Sequence, residues 1–302
     1  MRQPPVGPDM FSIRLAILGP LSVVAGVLVA GCTLGGLAGT FGSFAAGAGV
    51  GSIVGLTGVG GGSLMTPLLI SVGVPPLTAV GTDLWFAAVT KSVSTGFSNK
   101  LGLVDWQITK RLWLGSLPAS FVVLVLMASL PLEGVSVTFL ERSVATMVLI
   151  TAIGLAFKSV FHSTGRELRV SHEISFKATQ RPLTILSGIG LGCIVTSTSV
   201  GAGALGVVVL SYLYPLRMTP RRLVSTDIAH AIPLALFAGF GHAFAGNVDL
   251  RLLLNILAGS IPAVLAGTAL ASRISDPILR YGLAAVLFVV GMRLLFSSFN
   301  GL

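Results

Sequence analysis

The sequence contains few charged residues, and this scarcity already indicates the class of protein. Only 10% of its 302 residues are charged, against about 25% in ordinary soluble domains. Between Leu15 and Thr82 there is no Asp, Glu, Lys, Arg or His. Apolar runs of about 17 to 25 residues recur along the chain, each long enough to cross a bilayer as a helix. The composition therefore predicts an all-α polytopic membrane protein without a separate soluble domain.

Cysteine and histidine are also scarce, which argues against several kinds of chemistry. The two cysteines, Cys32 and Cys193, both lie in apolar segments, so we infer neither a disulfide nor a metal site from them. No paired metal ligands and no nucleophile–base motif accompany the four histidines, which are His162, His172, His230 and His242. We therefore expect no enzyme activity, no metal and no cofactor. A membrane-embedded enzyme or sensor is the weakest alternative.

The formal net charge of +9 predicts membrane topology rather than binding to nucleic acid. Most basic residues lie between apolar runs, where Lys and Arg mark the cytoplasmic side. One assignment places the following residues inside: Arg2, Arg14, Lys100, Lys110, Arg111, Lys158, Arg166, Arg169, Lys177, Arg181, Arg217, Arg221, Arg222, Arg273 and Arg280. The outside segments 74–77, 131–142 and 244–251 then contain only two basic residues, Arg142 and Arg251. We expect a multi-pass bacterial inner-membrane protein with a cytoplasmic N-terminus and a periplasmic C-terminus.

Eleven apolar segments are predicted as helices. They are 15–37, 42–58, 63–73, 78–98, 111–130, 141–161, 183–199, 204–214, 222–243, 251–271 and 279–298. Segments 63–73 and 204–214 are short: at about 1.5 Å per residue each reaches roughly half of a bilayer core. The first segment ends near VAGC (29–32), which resembles a lipoprotein signal, but we favour an ordinary extra membrane helix.

A glycine-rich break precedes each short segment: GVGGGS at 58–63 and SVGAGA at 199–204. The likeness extends along the chain and indicates a duplicated unit. The matching stretches are Val59–Gly62 with Val200–Gly203, Thr82-Asp83 with Thr226-Asp227, Val104-Asp105 with Val248-Asp249, and Gly115–Ala119 with Gly259–Ala263. We divide the chain into a tail and extra helix (1–37), a first repeat (38–161), a cytoplasmic linker loop (162–182) and a second repeat (183–302).

The loop charges place the two repeats in opposite orientations across the membrane. Inverted repeats with paired broken helices are the architecture of secondary transporters, which bind substrate near the breaks. The start of each short helix offers unpaired backbone N–H groups and a partial positive charge, which favour an anion. The alternative is that glycine only allows close helix packing. Residues 201–206 fit a dinucleotide fingerprint, but no βαβ unit surrounds them, and GVGGGS lacks the Lys of a phosphate-binding loop.

These considerations give a candidate site between the two breaks. The predicted substrate-binding residues are Gly60, Gly61, Gly62, Ser63, Thr82, Lys91, Ser197, Ser199, Gly201, Gly203 and Thr226. Lys91 lies inside a span, where a cation is expensive and by default a functional candidate, although an ion pair or a reach to the surface remains open.

Asp83, Asp227 and His230 are the candidates for a coupling site, with helix capping and a structural hydrogen bond as the alternatives. Asn99, Asp105 and Asp249 lie at span ends and are interpreted as capping or loop residues.

GVGGGSLMTPLL, VPPLTAVGTDL, GLVDW and TDIAHAIPLALFAGFGH resemble the sulfite exporter TauE/SafE family of membrane permeases over about residues 38–300. The resemblance implies transport of sulfite, an organosulfonate or another small anion, with the lipid bilayer and the anion as partners and a homodimer left open. Export is the expected direction, because the inside-negative potential favours it by about 2.3 kcal/mol per charge and 100 mV. A channel-like facilitator and a proton-coupled importer of an organic anion are the alternatives.

Overall fold

A computed structural model describes residues 40–57, 62–98, 102–129, 137–271 and 276–300. These ranges form eleven helices and contain no strand. The helices are α1 (Thr40–Thr57), α2 (Gly62–Ser71), α3 (Pro76–Ser98), α4 (Trp106–Ser129), α5 (Val137–Ala156), α6 (Lys158–Ser171), α7 (Glu173–Thr198), α8 (Ala204–Leu213), α9 (Pro220–Phe244), α10 (Leu250–Ala271) and α11 (Asp276–Asn300). The predicted extra helix at 15–37, and Gly60 and Gly61 of the first break, lie outside the described residues.

The predicted all-α membrane architecture is confirmed within those ranges. Five described helices, α4, α5, α9, α10 and α11, are long and apolar enough to cross a membrane. Exposed leucine, valine and phenylalanine side chains, such as Leu114, Phe121 and Val289, cover the outside of the bundle, as expected where lipid replaces water. The polar exceptions lie inside: Asp83 and Lys91 are buried on α3, and Asp227 and His230 are buried on α9.

The two short segments are half-length helices, as predicted. α2 and α8 contain 10 residues each, which corresponds to about 15 Å at the usual rise of a helix. α1 packs on α10, α4 on α7, α3 on α9 and α5 on α11. The short helices lie among these longer ones, so most of their side chains are buried, including Leu64, Leu68, Val207 and Leu210. Their ends are therefore held inside protein rather than in lipid.

The predicted loop between the repeats is wrong, because this segment is helical. α6 covers most of it, and α7 begins at Glu173 instead of near residue 183. The many charged residues of this segment made it resemble a solvated loop. One face of α6 nevertheless packs closely on α8, because a Cβ on Gly165 would come within 2.2 Å of the Tyr212 carbonyl oxygen. The charged side chains lie on the surface, where Lys177 and Arg169 pair with Glu173. The buried face of α6 packs on α8.

Glycines hold α1 against α10 and α4 against α7 at very short range. A Cβ on Gly47 would come within 2.0 Å of the Ile256 carbonyl oxygen, and one on Gly188 within 2.4 Å of the Leu112 carbonyl oxygen. These two contacts occupy corresponding positions of the predicted repeat. Gly47 precedes Gly188 by 141 residues, and Leu112 precedes Ile256 by 144. Close helix packing is thus the role of these glycines, which lie outside the two breaks.

Candidate functional site

The break between α7 and α8 is a buried backbone segment with left-handed geometry. α7 ends at Thr198, and Ser199, Gly201 and Gly203 have φ angles of 57°, 100° and 124°. Glycine tolerates these angles without steric cost, which explains its repeated use here. The Thr198 hydroxyl accepts a hydrogen bond from the Val200 N–H at 3.2 Å. The chain thereby turns out of one helix and into the next without reaching the surface.

Several backbone donors at this break are unoccupied. Among the described residues, nothing accepts a hydrogen bond from the N–H groups of Gly201, Ala202, Gly203 or Ala204. These residues are buried, and unpaired donors at a helix start carry a partial positive charge. The Ser199 hydroxyl is likewise buried, and no described residue is its hydrogen-bond partner. Such a set of donors fits a small anion.

Lys91 brings a full positive charge to the same break. Its Nζ donates to the Ala202 carbonyl oxygen at 2.7 Å, and the side chain is 1% exposed. In an uninterrupted helix this carbonyl would accept the N–H of Gly206, four residues on. Lys91 therefore satisfies a carbonyl that the break leaves without its helical partner. The hydrogen bond joins α3 to the break between α7 and α8, two segments that the sequence assigns to different predicted repeats.

Asp83 lies between the start of α2 and the second break. Its Oδ2 accepts hydrogen bonds from the Thr66 hydroxyl and from the Thr66 N–H, the latter at 3.2 Å. The Ser199 hydroxyl approaches the same carboxyl without forming a hydrogen bond to it. Ser63, in the first turn of α2, is buried and its hydroxyl has no partner in the described part of the chain. Lys91 lies within electrostatic range of Asp83.

Asp227 is the equivalent carboxyl on α9, and its surroundings differ. It is 1% exposed, and neither carboxylate oxygen has a hydrogen-bond donor among the described residues. Oδ1 faces the first turn of α8, because a Cβ on Gly206 would lie only 1.7 Å from it. Lys91 is again the cation within electrostatic range. One ammonium group is thus shared by two buried carboxyls.

His230 is held against α4. Its Nε2 shares a hydrogen bond with the Ser116 hydroxyl at 3.0 Å, and its carbonyl oxygen accepts one from Trp113 Nε1 at 3.1 Å. Nδ1 is buried without a partner in the described ranges. The imidazole also lies within electrostatic range of Lys91.

Thr82 and Thr226, which occupy matching positions of the predicted repeats, make the same kind of contact. The Thr82 hydroxyl accepts the Asp249 N–H at 3.1 Å, and the Thr226 hydroxyl accepts the Asp105 N–H at 3.0 Å. Each threonine therefore fixes the segment that precedes a long helix of the other repeat. A direct role for either residue in binding substrate stays a prediction.

The capping interpretation of Asp105 and Asp249 is confirmed. Asp105 Oδ1 accepts the Ile108 N–H at 3.3 Å, and Asp249 Oδ1 accepts the Leu252 N–H at 2.9 Å. Arg217 additionally pairs with Asp105 at 2.8 Å. Asn99 lies outside the described residues.

The cluster contains some of the predicted residues but not others. It brings together Lys91, Ser199, Gly201, Asp83 and Asp227. Gly203 ends the break, Gly62 begins α2, and the Ser197 hydroxyl bonds within its own helix, to the Cys193 carbonyl oxygen at 2.8 Å. Gly60 and Gly61, which the sequence places in the first break, are not described.

Sequence reasoning missed Thr66 and Gly206. Thr66 is the only threonine in the apolar helix α2, which is a weak signal in itself. Gly206 is the last residue of the dinucleotide-like pattern at 201–206, which gives no signal for a contact with a carboxyl group. No group of three or more His, Cys, Asp or Glu side chains suited to a metal occurs in the part of the chain that the structure describes.

Comparisons with known proteins agree with a membrane transporter. The model of a family described as Sulfite exporter TauE/SafE matches residues 43–294. The Bacillus subtilis protein named probable membrane transporter protein YjnA is 35% identical over 248 residues, covering 82% of this chain and 96% of that protein. A second B. subtilis protein, probable membrane transporter protein YdhB, is 26% identical with the same two coverages. No solved structure gives a significant match.

Proposed function

Because the chain belongs to the sulfite exporter TauE/SafE family, we propose that it is a secondary transporter for a small sulfur-containing anion such as sulfite or an organosulfonate. Its family and relatives are named as membrane transporters rather than as enzymes. The anion would bind at the break between α7 and α8 and cross the inner membrane by alternating access.

One observation carries the proposal: the Lys91 ammonium lies at a break whose backbone donors find no acceptor among the described residues. Its hydrogen bond to the Ala202 carbonyl places a positive charge beside the N–H groups of residues 201–204. A charge-assisted hydrogen bond to an anion is roughly twice as strong as one between neutral groups. A buried cation with free donors around it is therefore suited to a compact, strongly charged oxyanion.

Alternating access requires two halves that move against each other, and corresponding contacts support this division. The hydrogen bond from the Asp249 N–H to Thr82 has a counterpart in the one from the Asp105 N–H to Thr226. Each of the two bonds connects residues 38–161 with residues 183–302. Such equivalence is what two inverted repeats would produce about an axis in the membrane plane. The proposed topology puts the N-terminus in the cytoplasm and the C-terminus in the periplasm.

Export is the direction we propose for an anion that moves alone. The membrane potential favours outward movement of a negative charge by about 2.3 kcal/mol per 100 mV. A proton-coupled importer is the second candidate, and the carboxyl of Asp227, buried without a donor in the described ranges, favours it. A channel-like facilitator would instead give flux that does not saturate and is not stimulated by substrate on the far side.

The test is flux into proteoliposomes with sulfite, thiosulfate, sulfoacetate and a simple carboxylate. We expect saturable uptake of at least one sulfur anion, stimulated by the same anion inside. Lys91→Gln should lower that flux at least tenfold, because it removes the charge at the break. Lys110→Gln, at an exposed position on α4, is the matched control and should keep the flux. Intact flux in the Lys91 variant, with correct folding, would contradict the site, and no flux of any sulfur anion would contradict the function.

A further inference from the structure

Asp227 and its predicted repeat counterpart Asp83 are both buried, but they differ in the hydrogen bonds that they receive. Asp83 receives two hydrogen bonds from Thr66, which stabilise its ionised form. The position equivalent to Thr66 in the second repeat is Val207, which has no hydroxyl. Both oxygens of Asp227 accordingly lack donors from the described residues, and a buried, unsolvated carboxylate is costly. Of the two acids, Asp227 is the one whose ionised form receives no hydrogen bond from the described residues.

The helices packed around Asp227 supply few charges. α9 contacts α3, α4, α7 and α8. From α3, Lys91 is the only charged group that interacts with Asp227, and Lys91 also interacts with Asp83. His230, on α9 itself, is near the same lysine. Within the described ranges, α4, α7 and α8 direct no titratable side chain at Asp227. The charge of this carboxyl therefore depends mainly on Lys91 and on whatever occupies the break.

An anion at the start of α8 would compete with Asp227 for the same positive groups. With Lys91 protonated and both acids ionised, the cluster carries one net negative charge. A singly charged anion would raise this to two negative charges in a buried space, at a large desolvation cost. Uptake of one proton by a carboxylate keeps the net charge of the cluster constant. Asp227 is the carboxylate that would lose no hydrogen bond on protonation, because no described residue donates one to it.

We propose that Asp227 takes up one proton when the anion binds at the start of α8 and releases it when the anion leaves. The inference rests on the proposed anion transport and adds the coupling ion to it. The proton bonds to a carboxylate oxygen of Asp227 facing Gly206, and the anion takes over Lys91 as its counter-ion. A singly charged anion would then cross together with one proton and without net charge.

Coupling of this kind changes what drives transport. The membrane potential no longer acts on a singly charged anion that carries one proton. Export then follows an outward anion gradient, whereas an inward proton gradient drives import. Export and import of the anion would then use the same mechanism, and the anion and proton gradients would decide the direction.

The experiment measures anion and proton movement together in proteoliposomes that contain a trapped pH indicator. Methanesulfonate and isethionate are the probes, because each carries a single negative charge near neutral pH and no exchangeable acidic proton of its own there. With the potential clamped to zero, we expect external anion to acidify the lumen. The initial rate should rise by up to about tenfold for each unit of pH lowered outside while the carboxyl is mostly ionised, and should level off once it is protonated.

Asp227→Asn mimics the protonated state and should move the anion without protons and with a flat pH profile. Asp249→Asn is the matched control, because Asp249 is exposed and Asn caps a helix as well as Asp does; it should keep coupling. Asp227→Glu retains a titratable group and should restore proton movement.

The outcomes separate the two proposals. Anion flux without proton flux in the unmodified protein overturns the proton site and leaves the transporter standing, even if every Asp227 variant fails to fold. Unchanged coupling in Asp227→Asn does the same. Absence of any sulfur-anion flux overturns both.

Discussion

At the scale of single residues, the site depends on one lysine that satisfies a backbone carbonyl and two carboxyls. Burying an ammonium group costs several kcal/mol unless partners surround it. Here the Ala202 carbonyl provides the hydrogen bond, while Asp83 and Asp227 provide the charge. Removing the Lys91 side chain would therefore take a positive partner away from the Ala202 carbonyl and from both buried carboxyls at once.

Gly206 tests the contact between α8 and Asp227. In Gly206→Ala the new Cβ would lie 1.7 Å from Asp227 Oδ1, so the carboxyl or the helix must move. We expect a loss of about 1–3 kcal/mol of stability, seen as a lower thermal unfolding midpoint in detergent, together with a loss of anion flux. Gly190→Ala, where nothing lies within 4 Å of the added atom, is the control and should not lower the midpoint. Equal midpoints for the two variants would refute the contact.

At the scale of elements, the two half-length helices end differently. The last carbonyls of α8 are covered by the segment between the repeats: Gln180 Nε2 donates to the Leu213 carbonyl oxygen at 2.6 Å, and His162 Nδ1 lies 3.3 Å from that of Ser211. α2 is followed directly by a short turn, in which Val74 N–H donates to the Leu69 carbonyl oxygen at 3.0 Å. α6 and the first half of α7 are therefore positioned to restrain the end of α8.

Gly165 tests the attachment of α6 to α8. Gly165→Val would place atoms against the Tyr212 carbonyl oxygen, which already lies 2.2 Å from an added Cβ. We expect α6 to separate from α8, so that trypsin cleaves after Arg166 and Arg169 several-fold faster. Ser163→Val, at an exposed position of the same helix, gives the comparison and should be cleaved at the unmodified rate. Identical cleavage of both variants would show that α6 is not held by this contact.

At the scale of the whole molecule, the proposed inversion makes equivalent positions face opposite sides of the membrane. Pro75, after α2, and Leu216, after α8, are both exposed and are separated by the 141-residue offset of the repeat. In a background with Cys32 and Cys193 replaced by Ala, we expect Pro75→Cys to react with an impermeant maleimide added to intact spheroplasts. Leu216→Cys should react only after the membrane is opened. Labelling of both from one side would exclude the inverted arrangement.

The helices and the two half-length segments could be predicted from sequence alone, because apolar length and glycine clusters are local properties. The predicted segments 63–73 and 204–214 correspond to α2 and α8 within a few residues. The segment between the repeats could not be predicted, because its charges resemble those of a solvated loop. Its apolar and polar residues nevertheless recur at the spacing of an amphipathic helix, whereas the contact of Gly165 with Tyr212 is one that no local pattern encodes.

The sequence by itself determined the membrane class and the family, since hydropathy and motifs survive without coordinates, and it predicts a duplicated unit. Only the tertiary structure decided which polar groups meet. Lys91 and Ala202 are 111 residues apart, and Asp227 contacts Gly206 from another helix. Such pairings arise because the helices of one half pack against the breaks of the other, and a buried charge is stable only where that packing brings it a partner.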